Sequence, residues 1–261
     1  MAGPVGEPRQ ADELLSGNVG GCRMKAIVTG AASGIGAATV RALTAERIEV
    51  LAVARRSDRL ADLQNETGAQ THVGDVRDVA TLTPVIERFA PDILINNAGV
   101  GHGIDGLAGI GPEVLQEAID INVTSLAQLT AAALPGMVES GRGHIVNIGS
   151  IAGLHTLVSA LYGTTKAAVH MFSQNLRFEL VGTGVRVTEI CPGRVASEFY
   201  HAAKGDRERL DRIVASGIRE LDPEDIADAI LYAVRAPPHV NVATLEILPT
   251  DQAVGGVRVA S

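Results

Sequence analysis

The sequence predicts one α/β domain built on a doubly wound parallel sheet with helices on both faces. Three observations carry this. Short apolar runs alternate with helix-period stretches from Met24 to about Leu248, the order that a parallel sheet requires. The first run ends in Gly30-Ala-Ala-Ser-Gly34-Ile-Gly36, a glycine-rich turn that opens a helix. No repeat or linker divides the 261 residues, which suffice for one full core.

Composition narrows the function. A net charge of −8 argues against nucleic acid, which needs a basic face. No continuous run of eighteen or more apolar residues occurs, so no membrane span is expected. Cys22 and Cys191 are isolated, which suits a reducing cytoplasm rather than a disulfide framework. The seven histidines show no ligand spacing with Cys or with one another, so no metal is expected. Residues 1–23 are rich in Gly, Pro and acid and lack the basic start and apolar centre of a signal peptide. They are expected to be a disordered tail before a single domain over 24–261. Met24 is itself a candidate true start, which the N-terminal mass of protein from the native host decides.

The elements follow in order. Met24–Thr29 is the first strand. In the turn after it, Gly30, Ser33, Gly34, Ile35 and Gly36 are candidate phosphate-loop residues. Glycine lets the backbone approach a pyrophosphate, and the helix N-terminus supplies N–H groups and positive dipole. That helix runs to about Arg47. Ile48–Ala54 is the second strand, whose tip meets the adenosine ribose in a doubly wound fold. An acid there would bind the 2′-hydroxyl of NAD. Arg55 and Arg56 suit a 2′-phosphate instead, so NADP is the expected cofactor, although two arginines at a strand end are also ordinary solvated residues. Ser57 is an N-cap candidate for a helix through Glu66. Ala69–Gly74 is the third strand, with Asp75 and Val76 at its tip. Asp75 is placed either to accept from an adenine amino group or to cap the helix Asp78–Phe89. Ile93–Ile95 runs into Asn96-Asn97-Ala98-Gly99, a sharp turn placed to wall the cofactor crevice. In the glycine-rich loop 101–111, His102 and Asp105 lie near the expected mouth. A long helix is expected over 112–139, with Asn122 inside it. Asn is a poor interior helix residue, so a local kink or a held water is expected there. His144–Ile148 is the fifth strand and Val185–Cys191 the sixth, tipped by Pro192-Gly193. Residues 194–217 are expected to form a helical flap over the site. Pro223 opens a further helix to Arg235, and Ala243–Leu248 is the last strand.

The chemistry concentrates between Ser150 and Lys166. Tyr162 and Lys166 are four apart, which puts both on one face of a helix. A free Tyr has a pKa near 10, and a neighbouring ammonium favours the phenolate and brings it toward working pH. A Ser150 hydroxyl at a strand end can hold a carbonyl oxygen against that Tyr. This is the equipment for interconverting an alcohol and a carbonyl. The spacing alone also arises by chance, but the chain has only three lysines and three tyrosines, which makes chance pairing less frequent.

Taken together, Thr29-Gly-Ala-Ala-Ser-Gly-Ile-Gly36, Asn96-Asn-Ala-Gly99, Asn122, Ser150, Tyr162-x-x-x-Lys166 and Pro192-Gly193 resemble the short-chain dehydrogenase/reductase family over roughly 24–256. The resemblance implies a Rossmann domain, a nicotinamide cofactor and an Asn122, Ser150, Tyr162, Lys166 tetrad. By analogy Tyr162 is the acid/base, Ser150 binds the carbonyl and Lys166 bonds the nicotinamide ribose. Asn122 holds a relay water. The implied cofactor residues also include Arg55, Asp75, Val76, Asn97, Ala98, Gly99, Pro192, Gly193 and Val195. It further implies a tetramer or dimer through the helices at 112–139 and 159–181. A narrower likeness, through Ala133–Glu139, Val185–Thr188, Glu198-Phe199 and His239–Pro249, is to NADP-dependent 3-hydroxy acid dehydrogenases. The stretch Pro249–Gln252 is similar to reductases of antibiotic pathways. The chain departs from the 3-hydroxy acid pattern at Arg194 and in a Val195–Ser197 stretch one residue short.

The expectation is therefore an NADP(H)-dependent oxidoreductase of small hydroxy compounds, 3-hydroxy acids first. Arg194 is the first candidate for a substrate carboxylate clamp, with His102 as a further substrate contact and Lys204 and Arg207 behind them. The alternatives are a pathway-specific ketone or aldehyde reductase and a non-catalytic NADP-binding sensor.

Overall fold

A computed structural model describes residues 18–19, 22–157, 159–215 and 217–253. The tail expected over 1–23 lies outside these, apart from a two-residue antiparallel pair, Asn18–Val19 with Cys22–Arg23. Seven strands form one parallel sheet: β1 (Lys25–Thr29), β2 (Glu49–Ala54), β3 (Gln70–Val73), β4 (Ile93–Asn96), β5 (Gly143–Ile148), β6 (Val185–Pro192) and β7 (Thr244–Ile247). Their spatial order is β3-β2-β1-β4-β5-β6-β7, with every neighbour parallel. The direction of winding reverses between β1 and β4. In such sheets the crevice outside the strand ends at that point is where ligands bind.

The inner strands are apolar on both sides because both faces are covered. One face packs Val28, Val50, Ile95, Val146 and Ile190 under α1 (Gly34–Ala45) and α10 (Pro223–Arg235). The other packs Ile27, Leu94, Ile145 and Val187 under α3 (Val79–Phe89), α5 (Ser125–Glu139) and α7 (Ala160–Glu179). The remaining helices among the described residues are α2 (Ser57–Thr67), α4 (Pro112–Ile119), α6 (Ile151–Leu154), α8 (Phe199–Ala202) and α9 (Arg207–Val214). Ser57 is the first residue of α2 rather than its cap, which is Arg56.

The long helix expected over 112–139 is interrupted. Asp120–Thr124 forms a π turn between α4 and α5, and Asn122 is buried inside it. This is the local distortion that an interior Asn foretold. By length and composition alone, Pro112–Glu139 is apolar enough to cross a bilayer. Its stripe of Ile121, Leu126, Leu129, Ala133 and Met137 is buried in the molecule instead.

Candidate active site

A cavity of about 830 Å³ lies along the strand ends of β1, β2, β4, β5 and β6. Its floor is built by sterics of the main chain. Gly30 has φ +66°, and a Cβ there would stand 2.8 Å from Asn97 Nδ2 and 2.9 Å from Ala98 Cα. The Thr29 hydroxyl joins two strand tips: it donates to Ile95 O at 3.2 Å and accepts from the N–H groups of Asn97 (3.0 Å) and Ala98 (3.1 Å). Asn97 Nδ2 donates to Thr29 O at 2.8 Å. The N-cap of α1, Ser33, makes no side-chain cap bond, and the first turn holds no acid. That turn thus brings no acid or cap bond of its own to the cavity wall, where an anionic ligand fits. At the far end stand Arg55, Arg56 and Asp75.

Ser150 lines the cavity two residues beyond β5 and caps α6, its hydroxyl accepting from Ala152 N at 3.1 Å. Tyr162 and Lys166 lie on the buried face of α7. Lys166 Nζ donates to Ile148 O at 2.7 Å and sits 5.9 Å from the Tyr162 ring centroid. Burial pushes the Tyr162 phenol above its ordinary value, with the Ser150 hydroxyl acting against that rise. Burial lowers the Lys166 ammonium to about 8, against the pull of Cys191 and Glu189. The expected lowering of Tyr162 by Lys166 is therefore not what this arrangement gives. The ammonium is spent on a carbonyl and is itself desolvated, so burial dominates both groups.

The flap closes the other side. Phe199 packs edge-on against Tyr162, with ring centroids 5.4 Å apart, and Tyr200 packs edge-on against Phe199 at 5.4 Å. Glu198 reaches back to Arg56, which donates to it at 2.7 Å and to Ser33 Oγ at 2.6 Å. Ile104, Leu157, Ala202 and Ile213 add apolar surface to the cavity wall.

The short chain dehydrogenase family model matches residues 24–208. The chain belongs to that family, the short-chain dehydrogenases/reductases. It is 38% identical over 246 residues to the NADP-dependent 3-hydroxy acid dehydrogenase YdfG of Escherichia coli (strain K12), covering 90% of this chain and 99% of that one. Among solved structures, the closed form of a serine dehydrogenase complexed with NADP+ matches with TM-score 0.83 and 38% identity, over 91% of this chain and 100% of that one. An actinorhodin polyketide ketoreductase with NADPH matches with TM-score 0.74 and 30% identity, over 87% and 96%.

In this dehydrogenase most of the motif residues converge. Gly30, Ser33, Gly34, Ile35, Arg55, Arg56, Asp75, Val76, Asn97, Ala98, Gly99, Ser150, Tyr162, Lys166, Pro192, Gly193, Arg194 and Val195 all line the cavity. Gly36 does not. A Cβ there would collide with Gly30 O, so its role is to let α1 seat against the loop. Asp75 is gripped by Arg77 at 2.7 and 3.0 Å, and Asp78 caps α3 in its place.

Hydrogen bonds already engage four of the candidate side chains. Asn122 does not line the cavity: its amide clasps Val100, accepting from N at 2.8 Å and donating to O at 2.9 Å, and it donates to Thr165 Oγ1 at 3.0 Å. Its side chain thus has no donor left to hold a relay water. His102 is buried away from the cavity, with Nδ1 accepting from Lys204 N at 3.1 Å and Nε2 3.3 Å from Glu117. It fastens the 101–111 loop to the flap. Asp105 does the same through Asp206 N at 2.6 Å. Arg194 reaches the cavity wall, but its guanidinium donates to Glu220 at 2.5 and 3.0 Å and to Ile213 O, and stacks on Tyr200 at 5.1 Å. Of the weaker cations, Lys204 is held by Glu117 at 2.5 Å and Arg207 by Asp211 at 2.9 Å. The sequence reading missed Glu220 and the cavity-lining roles of Glu198 and Phe199. The pair Glu198-Phe199 within the narrower likeness was the available signal.

Proposed function

We propose that this dehydrogenase interconverts a small hydroxy compound, a 3-hydroxy acid first, with its carbonyl form, using NADP(H). The observation that carries the reading is the shared cavity: Ser150, Tyr162 and Lys166 lie in the same space as the glycine cradle and Arg56. The donor set fits the cofactor, because the acid-free first turn of α1 and the Arg55 and Arg56 guanidinium groups line one cavity, and Gly30 and Gly36 let the loop and helix pack closely enough to form it. Bound there, the nicotinamide would supply or take up the hydride. The first turn of α1 would hold the pyrophosphate, and Arg55 and Arg56 the 2′-phosphate. Pro192, Gly193 and Val195 would flank the nicotinamide end. Tyr162 gives its hydroxyl proton to the carbonyl oxygen on reduction and takes it back on oxidation. Ser150 holds that oxygen in place. With a pKa near 8, Lys166 is mainly an ammonium at pH 7, anchored on Ile148 O, and would bond the nicotinamide ribose. Both Asn122 amide hydrogens are engaged, so a relay water there would donate to Asn122 Oδ1 or to the main chain of the π turn.

The 3-hydroxy acid class is supported by the likeness to the E. coli enzyme over nearly its whole length. One observation favours the second reading, a reductase of a bulkier neutral ketone or aldehyde. The Arg194 guanidinium is engaged by Glu220, and Ile104, Leu157 and Ile213 make the wall apolar. The test is NADPH formation from NADP with L-serine, allo-threonine, 3-hydroxyisobutyrate and neutral alcohols, with NAD in parallel. Turnover confined to the acids and to NADP supports the first reading. Silence on the acids, with NADPH still bound, supports the second. A cytoplasmic dimer or tetramer belongs to the same proposal. Met171 and Phe178, seven apart on α7 and 53% and 83% exposed, offer an apolar face for it, and light scattering measures the state.

A further inference from the structure

The Arg56 guanidinium already has an anion. Its Nη1 donates to Glu198 Oε2 at 2.7 Å, while Nη2 donates to Ser33 Oγ at 2.6 Å. The same carboxylate stands 3.7 Å from Arg59. Glu198 comes from the flap, 142 residues further along the chain, yet it lines the cavity between the cradle and the arginines. The next residue, Phe199, lies against the Tyr162 ring and against Gly101, where a Cβ would meet its ring at 2.7 Å. Tyr200 follows and stacks on Arg194. Three consecutive residues therefore touch the phosphate end of the cavity, the reacting tyrosine and the buried arginine in turn.

We propose that Glu198 is an internal counter-ion for the 2′-phosphate site, and that a 2′-phosphate displaces it and lifts the 197–200 strip from Tyr162. This rests on the NADP reading above and deepens it. A phosphate monoester carries close to two negative charges at pH 7, so it cannot share Arg56 with a carboxylate without strong repulsion. It outcompetes Glu198 because it brings more charge and more acceptor oxygens to the Ser33–Arg56 pair. A dinucleotide without the 2′-phosphate leaves the Arg56–Glu198 pair standing. Glu198 thus acts on cofactor choice and couples it to the cover over the reacting centre. Both partners are about half exposed, so the competition is modest.

The test uses the full chain and four probes: NADPH, NADH, adenosine 2′,5′-bisphosphate and adenosine 5′-monophosphate. In Glu198→Gln the two 2′-phosphorylated probes are expected to bind up to about fivefold tighter, the scale of an exposed ion pair. The other two should stay within about twofold. Equal changes in all four, or weaker NADPH binding, would overturn the proposal. The chain has no tryptophan, so Phe199→Trp supplies a single reporter on the strip. Its emission should shift with the bisphosphate, which has no nicotinamide, and should not shift with the monophosphate. A silent reporter under saturating bisphosphate refutes the coupling. Should the reporter variant not fold, the Glu198→Gln affinities decide alone. If wild-type protein binds neither NADPH nor the bisphosphate, the NADP reading itself fails and takes this proposal with it. Tight NADPH binding with an unchanged Glu198→Gln series sinks only the proposal.

Discussion

The two walls of the cavity are made in different ways. The cradle wall, from Thr29 to Gly36 and from Asn96 to Gly99, is shaped by main chain. Its glycines are where a Cβ has no room, and its Thr29 and Asn97 side chains bond to neighbouring backbone. The flap wall, from Arg194 to Leu221, is shaped by side chains reaching across the molecule: Arg194 to Glu220, Glu198 to Arg56, Phe199 to Tyr162. A wall of backbone has one arrangement fixed by sterics. A wall of half-exposed ion pairs and ring contacts is held by terms of about 1 kcal/mol each, which a ligand can exchange. The difference divides the labour: the cradle presents a fixed anion site, and the flap adapts to what is bound.

The largest expected effect lies where the walls meet. Tyr162→Phe removes only the titrating hydroxyl and keeps the edge contact with Phe199. Turnover should fall by about a thousandfold, within the range for loss of a positioned proton donor. NADPH affinity, read by fluorescence titration, should change little. Turnover within tenfold of wild type would show that the proton passes through another group.

Next comes the cradle. In Gly36→Ala the new methyl would meet Gly30 O and Asn97 Nδ2. The loop must shift, at a cost of about 1–3 kcal/mol, the scale of overpacking. Because the loop is the anion site, NADPH affinity should fall by about tenfold or more, on the basis of about 1.4 kcal/mol per decade. Unchanged affinity in a folded protein would show that the cradle yields as readily as the flap, and the contrast would collapse.

The same contrast governs what the sequence disclosed. The cradle was legible because sterics act locally: a glycine before a helix and Asn-Ala-Gly after a strand each bring their constraint with them. The sheet was legible for the same reason, through alternation of apolar runs. Asn122 advertised its π turn because Asn interrupts a helix whatever surrounds it. Its partner Val100 lies 22 residues away, so the clasp on Val100 was not legible. Nor was the turning inward of His102, whose bond to Lys204 spans 102 residues. Arg194 read as an open cation because Glu220 lies 26 residues on, past two short helices, with no local signal. The Tyr162–Lys166 spacing gave adjacency but not burial, and burial decides both pKa directions.

Burial also makes Lys166 a cost to the fold. Its folded pKa of about 8 is below the ordinary 10.5. Between those values the unfolded chain holds the proton more tightly, so stability rises with pH from about 8 upward. Below about 8 the full cost of a buried ammonium is present. Lys166→Met should therefore stabilise the ligand-free protein by about 1–3 kcal/mol at pH 7. The gain should shrink as pH rises through 8 toward 10.5. Thermal melts at pH 7 and 10 measure it. A destabilised variant at pH 7 would mean that the bond to Ile148 O outweighs desolvation.

The smallest effect separates the two roles open to Arg194. Its guanidinium is nearly buried, whereas Glu220 keeps a quarter of its side-chain surface in water. Arg194→Leu therefore leaves a carboxylate that can rehydrate, and the loss of stability should be about 1 kcal/mol, near the figure for an exposed pair. If Arg194 only ties the flap to 220, KM should rise by a similar factor for hydroxy acids and for neutral alcohols, because the wall loosens for both. If it releases Glu220 to seize a substrate carboxylate, KM should rise tenfold or more for the acids alone, as loss of a charge-assisted bond requires. The structure favours the first outcome, since two bonds to Glu220, one to Ile213 O and the Tyr200 ring already account for the group. The second would show that the ion pairs of the flap are substitutes for the anions of the ligand, at the substrate end as at the phosphate end.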